Sequence, residues 1–194
     1  MTAITIPKGF KVTPKQFDEL ADSNTDVRME VTAQGDLIVM PPTGGTSGRR
    51  NARLTTQLTI WTDRDGTGES FDSSTTFLLP NGAKRSPDAS WVTLDRWNAL
   101  TPEEQDGFSP IAPDFVIELV SPSDLKNQRY EDLQQKMEEY LNNGVRLGWL
   151  IEPKARTVEI YRRSQVVEIL QTPKTLSGED VLPNFVLDLE SIWR

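Results

Sequence analysis

The sequence predicts an α/β or α+β fold in which strands alternate with flanking helices. Residues 113–120 form an apolar run bounded by prolines, which is typical of a strand buried on both faces. Residues 129–142 place their apolar side chains on one arc, as an amphipathic helix requires. No Gly-x-Gly-x-x-Gly segment opens a helix after a strand, which argues against a doubly wound dinucleotide fold.

The N-terminal part predicts a helix followed by a hairpin. Thr13 is a helix cap and Pro14 suits the first helical position, so a short helix should run to about residue 22. Residues 27–32 alternate with period two and turn through residues 34–36 into an apolar segment. This pattern predicts a β-hairpin.

A second helix should follow the loop at residues 41–48 and end at residues 65–68. Side chains at helical spacing form one face of it, namely Asn51, Leu54, Leu58 and Trp61. The loop glycines could present amide groups to a phosphate, although a simple connector is the alternative. Strands are then expected near residues 69–72, 75–79 and 88–93, with a helical or irregular segment over residues 96–106.

The C-terminal part predicts an amphipathic helix and a meander. The helix over residues 129–142 ends at Gly144, a C-cap. The strands expected after it share alternating or apolar patterns, at residues 148–152, 157–161, 166–170 and 185–189. Because no linker or repeat interrupts the chain, residues 1–194 are expected to form one domain.

Composition limits the chemistry. The chain has 194 residues, a net charge of −8, no Cys and no His. These absences exclude disulfides, cysteine nucleophiles, Ser-His-Asp catalysis and histidine metal ligands. No apolar run approaches the roughly 18 residues of a membrane span. The N-terminus lacks a leader pattern, so a cytoplasmic protein with no membrane contact is expected.

Two acidic residues lie in strand-like segments. Glu118 interrupts the apolar run at residues 113–120, and Asp88 heads the run at residues 89–92. A buried carboxylate must protonate, pair with a cation or bind a metal. Two carboxylates on neighbouring core strands therefore predict a divalent-metal site. The structural alternatives are a buried ion pair for Glu118 and a strand cap for Asp88.

One lysine is placed to reach that site. Lys136 lies at the edge of the buried arc of the predicted helix, so we expect its ammonium within about 6 Å of the Glu118 carboxylate. Lys126 in the preceding loop is the second candidate. The alternative for Lys136 is an exposed pair with Asp132, one helical turn away.

Local basic clusters offer contacts to nucleic acid, although the net charge argues against a broad basic surface. Each cluster is close in sequence to a candidate site residue, and they are Arg49 with Arg50 and Arg53, Lys84 with Arg85, and Lys126 with Arg129. Solvated surface charges are the alternative for each cluster.

Several segments together resemble the Uma-two family, bacterial proteins classed as endonucleases of the PD-(D/E)xK, restriction-endonuclease-like superfamily. The segments are Pro87-Asp88, Pro113-Asp-Phe-Val-Ile-Glu-Leu-Val-Ser-Pro-Ser-Asp124, Lys136-x3-Tyr140-x3-Gly144-Val145 and Trp149-Leu-Ile-Glu-Pro153. The resemblance covers nearly the whole chain. It implies a mixed central sheet with helices on both sides and a metal site where central strands diverge.

The resemblance assigns residues one by one. Asp88 matches the aspartate of the Pro-Asp step, and Glu118 matches the acid of the (D/E)xK strand. Val120 stands where the superfamily has its lysine, and Lys136 occupies the position of the displaced lysine on the next helix. Glu30 matches a glutamate on the first hairpin and is a third candidate acid.

The implied reaction is hydrolysis of DNA phosphodiester bonds with Mg²⁺ or Mn²⁺. Asp88 and Glu118 would hold the ion with the Leu119 carbonyl. Lys136 would orient the water or stabilise the transition state, and Glu30 would bind a second metal or a metal-bound water.

Other functions remain open. A nuclease-fold module that binds nucleic acid or a protein without catalysis would suit the net acidity and the displaced lysine. A glycosidase with Asp88 and Glu118 as its acid pair fits the carboxylates but not the lysine. The structural alternative for Glu30 is a solvent-facing ion pair with Arg28. Asn51 falls where many relatives carry His, so the role of that His cannot be transferred.

The sequence also predicts a homodimer. Trp97, Phe108 and residues 157–170 offer more apolar surface than the short elements around them can cover. Cleavage of both DNA strands would also favour two symmetry-related sites.

Overall fold

The computed structural model describes residues 6, 7, 9–126 and 129–194, apart from the side chain of Lys126. Its helices are α1 (Pro14–Ser23), α2 (Gly45–Asp65), α3 (Leu94–Asn98), α4 (Pro102–Asp106), α5 (Pro122–Lys126), α6 (Tyr130–Asn142) and α7 (Glu190–Trp193). Its strands are β1 (Met29–Val31), β2 (Leu37–Val39), β3 (Gly68–Asp72), β4 (Phe77–Leu78), β5 (Lys84–Arg85), β6 (Ala89–Thr93), β7 (Phe115–Leu119), β8 (Leu147–Glu152), β9 (Thr157–Arg162), β10 (Glu168–Gln171), β11 (Thr175–Ser177) and β12 (Val186–Asp188).

A mixed six-stranded sheet forms the centre, in the order β10-β9-β8-β7-β6-β3. Strands β7 and β8 are parallel, and the other neighbours are antiparallel. A parallel pair needs a crossover, which here contains α5 and α6. The predicted α+β fold with a mixed sheet flanked by helices is therefore confirmed, and β8, β9 and β10 form the predicted antiparallel meander.

The two faces of strand β7 contact different helices, because successive side chains alternate across a sheet. Phe115, Ile117 and Leu119 join the core beneath α2, whose Leu54 and Leu58 are fully buried. The alternate positions lie beneath α6, where Val116 and Val120 pack with Met137 and Tyr140. Glu118 belongs to this second set, so β7 directs its carboxylate towards α6.

A smaller sheet, in the order β2-β1-β5-β4, carries the predicted N-terminal hairpin. Phe17, Met29, Val31 and Leu37 form a core on this sheet. Strand β5 was not predicted: the turn at residues 81–82 returns the chain to pair β4 with β5, ahead of β6. Through its pairing with β1, strand β5 connects the N-terminal hairpin to the segment that leads to Asp88.

Two other expectations need correction. Helix α2 begins at Gly45, so residues 45–48 form its first turn and are not a loop. Trp97 and Phe108 are covered within the chain, because their rings lie 4.9 Å from Phe71 and 5.9 Å from Phe17 respectively.

In the described part of the chain, every helix is too short or too polar to cross a membrane.

Candidate active site

Glu118 lies in a pocket formed by strand β7 and helix α6. Its Oε1 atom is 2.7 Å from the Lys136 Nζ atom and accepts a hydrogen bond of 3.0 Å from the Tyr140 hydroxyl. Lys136 and Tyr140 are four residues apart, so they project from the same side of α6. Because both donors use Oε1, and Oε2 has no hydrogen-bond donor among the described residues, one oxygen of this buried carboxylate remains available.

Lys136 joins two carboxylates from distant parts of the chain. Its ammonium also donates to Oε1 of Glu30 at 2.8 Å. The predicted closeness of Lys136 to Glu118 is confirmed. The alternative of an outward pair with Asp132 is wrong, because the lysine side chain is only 11% exposed and points into this acidic pocket.

Three donors contact the Glu30 carboxylate. Its Oε1 atom accepts from Lys136 and from the Ser86 amide at 2.9 Å, and its Oε2 atom lies 3.1 Å from Arg85. Arg28 is not its partner, which corrects the alternative of a solvent-facing pair. Glu30 as a ligand of a second metal or of a metal-bound water stays a prediction, with Oε2, which accepts from Arg85 alone among the described residues, as the oxygen concerned.

Arg85 extends the charged network to α6. The guanidinium group donates to Glu139 at 2.6 Å and to Glu30 at 3.1 Å, and it is almost completely buried. A continuous chain of alternating charges therefore runs from Glu139 through Arg85, Glu30 and Lys136 to Glu118. It connects the hairpin, strand β5, helix α6 and the central sheet.

Asp88 adjoins Glu118 across the sheet. Ala89 pairs with Ile117, so the two acids lie one step beyond that pair on neighbouring antiparallel strands. The Asp88 carboxylate accepts hydrogen bonds of 2.8 Å from the Asn51 amide and 2.8 Å from the Leu119 main-chain amide. These donors come from α2 and β7, so Asp88 is fixed where the helix meets the end of the sheet.

Burial raises the pKa of all three acids, but the neighbouring charges give them different net shifts. Burial raises the pKa of Glu118 to about 7, because the charges of Asp88 and Glu30 add to it and Lys136 only partly offsets them. Burial also raises the pKa of Asp88. Burial acts on Glu30 too, but Lys136 and Arg85 outweigh it, and the pKa of Glu30 lies below its ordinary value. Glu118 therefore titrates near neutral pH.

We expect the stability of the metal-free protein to fall as pH rises from about 4.5 to about 7, by up to about 1.4 kcal/mol per pH unit from Glu118. In this window the folded protein retains a proton that the unfolded chain has lost, so raising the pH favours unfolding. Glu30, whose pKa is lowered, acts only at lower pH. Urea unfolding in EDTA across this range should show the slope, and Glu118→Gln should remove the part that Glu118 contributes, leaving that of Asp88, whose pKa burial also raises. An equal slope in both proteins would contradict the prediction.

Two of the residues predicted to bind nucleic acid are buried. Lys84 is 6% exposed, pairs with Asp18, and lies over the rings of Phe17 and Phe108 at 5.0 and 4.7 Å. Arg85, also 6% exposed, belongs to the network around Glu30. The prediction is corrected for both residues, because the cations themselves are buried and each is held by a carboxylate, Asp18 for Lys84 and Glu30 for Arg85.

The arginines at the start of α2 hold the C-terminal helix. Arg50 donates to the main-chain oxygens of Ile192 and Arg194 at 2.8 and 3.3 Å, and Arg49 donates to that of Arg194. Arg53 donates to the Ser191 oxygen at 2.6 Å. Cations at a helix C-terminus are favourable, so the structure gives these residues a role in fixing α7.

The third basic cluster is only partly described. Arg129 pairs with Asp124 at 3.0 Å and its side chain is 38% exposed, so it stays a candidate for nucleic-acid contact. The prediction for the Lys126 side chain lies outside the described residues, both as a nucleic-acid contact and as the second candidate for the site lysine.

The groups around Asp88 fit a divalent cation. The Asn51 Oδ1 atom is enclosed and has no hydrogen-bond donor among the described residues. This oxygen belongs to the same side-chain amide whose nitrogen donates to Asp88. Burial raises the pKa of Asp88 and of Glu118. Within the described ranges no three acidic side chains group together as metal ligands. Mg²⁺ nevertheless binds through one or two carboxylates and retains water, so this donor set suffices.

Sequence reasoning missed three residues of the site. Tyr140 was placed on the buried face of α6. Its spacing of four residues from Lys136 could have indicated that both side chains contact the same acid, Glu118. Asn51 was assigned to the apolar face of α2, and its position in place of a His of many relatives was the available signal for a role in the site. Arg85 carried no signal, because the sequence does not show that β5 pairs with β1 and so approaches Glu30.

Comparison with known proteins places the chain in a family. Residues 14–190 match the Uma2 family, which is described as "Putative restriction endonuclease". A crystal structure described as "a putative nuclease belonging to DUF820", from Anabaena variabilis, is 22% identical with a TM-score of 0.77. The match covers 94% of this chain and 97% of that one, and it shows a shared fold. No curated protein matches the sequence. Since the family match spans most of the chain, the protein belongs to the Uma2 family.

Proposed function

We propose that this protein is a metal-dependent DNA endonuclease whose site consists of Asp88, Glu118 and Lys136. The family description supports a nuclease-like function in general. The observation that carries the specific proposal is the Lys136 ammonium, 2.7 Å from Glu118, beside an acid on the adjoining strand. In a (D/E)xK strand, the acid and the lysine are on the same strand. Here the lysine is on α6 and the acid is on β7, and the two side chains are still in contact.

Asp88, Glu118 and the Leu119 carbonyl would hold Mg²⁺ or Mn²⁺. The bound ion would lower the pKa of a water and neutralise charge on the phosphate. Glu118 would bind through Oε2, because Oε1 is held by Lys136 and Tyr140. Asn51 would orient Asp88 through the hydrogen bond between its amide and the carboxylate.

The other residues would hold and position charge. The Lys136 ammonium would donate to an oxygen of the phosphate or orient the attacking water, since it is the buried cation next to Glu118. Glu30 would keep this lysine protonated and fixed, with Arg85 balancing the second negative charge. Burial acts to lower the pKa of Lys136, but Glu118 and Glu30 raise it overall, so its proton is retained.

Nicking of supercoiled plasmid DNA in Mg²⁺ or Mn²⁺ tests the proposal. We expect cleavage that EDTA stops, and a loss of at least about tenfold in Glu118→Gln and Asp88→Asn. Glu159→Gln is the matched control. Glu159 is a buried acid that pairs with Leu150, the residue next to Glu118 across the sheet, and it is covered by the same helix. Its substitution should leave nicking unchanged.

The alternatives give different results in the same assay. A protein that binds DNA but never nicks it would support the non-catalytic binding module. Cleavage that persists in Glu118→Gln, or without a divalent metal, would contradict the proposed site.

We also propose a homodimer, on a narrower basis than the one predicted from the sequence. Trp97 and Phe108 are covered within the chain, but the edge of the sheet near β10 exposes Val166 by 91% and Ile169 by 57%. A second copy could cover these side chains. Light scattering at micromolar concentration decides between monomer and dimer.

A further inference from the structure

Helix α2 has a third face that neither the sheet nor α7 covers. Its sheet face contains Leu54 and Leu58, and its α7 face contains Arg50 and Arg53. The third face contains small and hydroxyl side chains, namely Gly48, Ala52, Thr55, Thr56 and Thr59. Together with Thr43, Asp72 and Ser73 it lines a groove of about 560 Å³. Ile60 and Asn51 also line the groove, and because Asn51 donates to Asp88, the groove adjoins the candidate active site.

The groove presents hydrogen-bonding groups that the protein does not use. The hydroxyls of Thr43, Thr55 and Thr56 make no hydrogen bond to another described residue, whereas Thr59 is 2.9 Å from the Ser70 hydroxyl. Asp72, the acid on the wall, accepts from the amide and hydroxyl of Ser74 at 2.9 and 2.6 Å. Unpaired hydroxyls suit a ligand rich in acceptor oxygens.

Arg28 supplies a cation at the end of the groove near the acids. It donates to the main-chain oxygen of Ser73, a groove residue. Among the described residues, no carboxylate lies within ion-pair distance of its guanidinium group, and Ser73 is its only hydrogen-bond acceptor. The charge of Arg28 also acts against the burial that raises the pKa of Asp88.

Residues 48–60 of α2 span about 18 Å, which is the length of about five phosphate steps of a DNA strand. A strand along this face would pass Thr56 and Thr55 and arrive at Asn51, where Asp88 is held. The basic residues that sequence reasoning assigned to DNA are mostly buried or fixed to α7, and the charged residue in the groove lining is Asp72.

We propose that this groove binds the DNA strand next to the cleaved bond, with threonine hydroxyls on the phosphate and sugar oxygens and Arg28 on the phosphate nearest Asp88. The proposal rests on the proposed endonuclease function and names the substrate contacts of that site. Since hydroxyl contacts release no counterions, most of the affinity contributed by the groove is independent of salt.

Fluorescence anisotropy with a labelled DNA duplex in EDTA tests the groove without cleavage. We expect Arg28→Met to weaken binding about tenfold and to reduce the slope of log K against log salt by about 0.9, the value for one phosphate contact. The paired change Thr55→Val and Thr56→Val keeps the branched side chains. It should weaken binding about two- to tenfold without changing the slope. Arg64→Met, which removes an exposed arginine of α2 outside the groove, is the control and should bind as the wild type does.

The outcomes separate this proposal from the proposed function. Plasmid nicking by the wild type, combined with unchanged DNA binding in both groove variants, would overturn the groove and leave the endonuclease standing. The expected binding changes without any nicking would support the groove and overturn the nuclease. A wild-type protein that neither binds nor nicks DNA would overturn both.

Discussion

Replacing Lys136 with methionine is expected to lower DNA cleavage by about 10²–10³-fold. Methionine retains the length and most of the volume of the lysine stem, so the packing of α6 is preserved while the ammonium is lost. That ammonium is 2.7 Å from Glu118 and 2.8 Å from Glu30. In our proposal Asp88 and Glu118 hold the metal, and Lys136 does not. The Mn²⁺ affinity of Lys136→Met, measured by calorimetry at pH 8, should therefore change much less than its rate of DNA cleavage.

The control for this variant is Lys15→Met, which removes an exposed lysine from α1 and should leave cleavage unchanged. Circular dichroism should show that Lys136→Met is folded under the assay conditions, because Arg85 still neutralises Glu30 and Glu118 can take up a proton. Cleavage at more than about a tenth of the wild-type rate would show that Lys136 is a structural partner of Glu118 only.

Replacing Arg85 with methionine is expected to cost about 3–5 kcal/mol of unfolding free energy, the range found when one partner of a buried ion pair is removed. The guanidinium group touches Glu30 at 3.1 Å and Glu139 at 2.6 Å, and both Arg85 and Glu30 are almost completely buried. The change leaves Glu30 with only Lys136 as a cation. Urea unfolding at pH 7 measures the loss.

Two further variants make this result interpretable. Arg64→Met removes an exposed arginine and should change stability by no more than about 0.5 kcal/mol. Adding Glu30→Gln to Arg85→Met should recover part of the loss, because it removes the buried charge that the first change left uncompensated. A loss below about 1 kcal/mol in Arg85→Met would show that water reaches this network.

The strongest local patterns predicted the centre of the molecule. The apolar run around Glu118 could only be a buried strand, and an acid inside it had to find a partner. The periodicity of α6 then placed Lys136 at the edge of the buried face, and this was enough to predict the contact between them. Strand β5, with two residues, and α7, with four, are too short to produce such a pattern.

The basic residues show where sequence reasoning fails. Lys84 and Arg85 form a charged dipeptide of the kind that is usually exposed, but they lie on a short strand between two packed layers. Arg49 and Arg50 donate to main-chain oxygens of residues more than 140 positions away. Such pairings depend on topology and on distant elements, which no local pattern of charge reveals.

The contact between Glu30 and Lys136 joins residues 106 positions apart. During synthesis, the ribosome delivers the hairpin that carries Glu30 long before the helix that carries Lys136. The site therefore cannot assemble on a nascent chain that lacks α6, and it forms only when α6 folds over the central sheet and meets the hairpin. Before that point, Glu30 and Glu118 have no shared lysine between them.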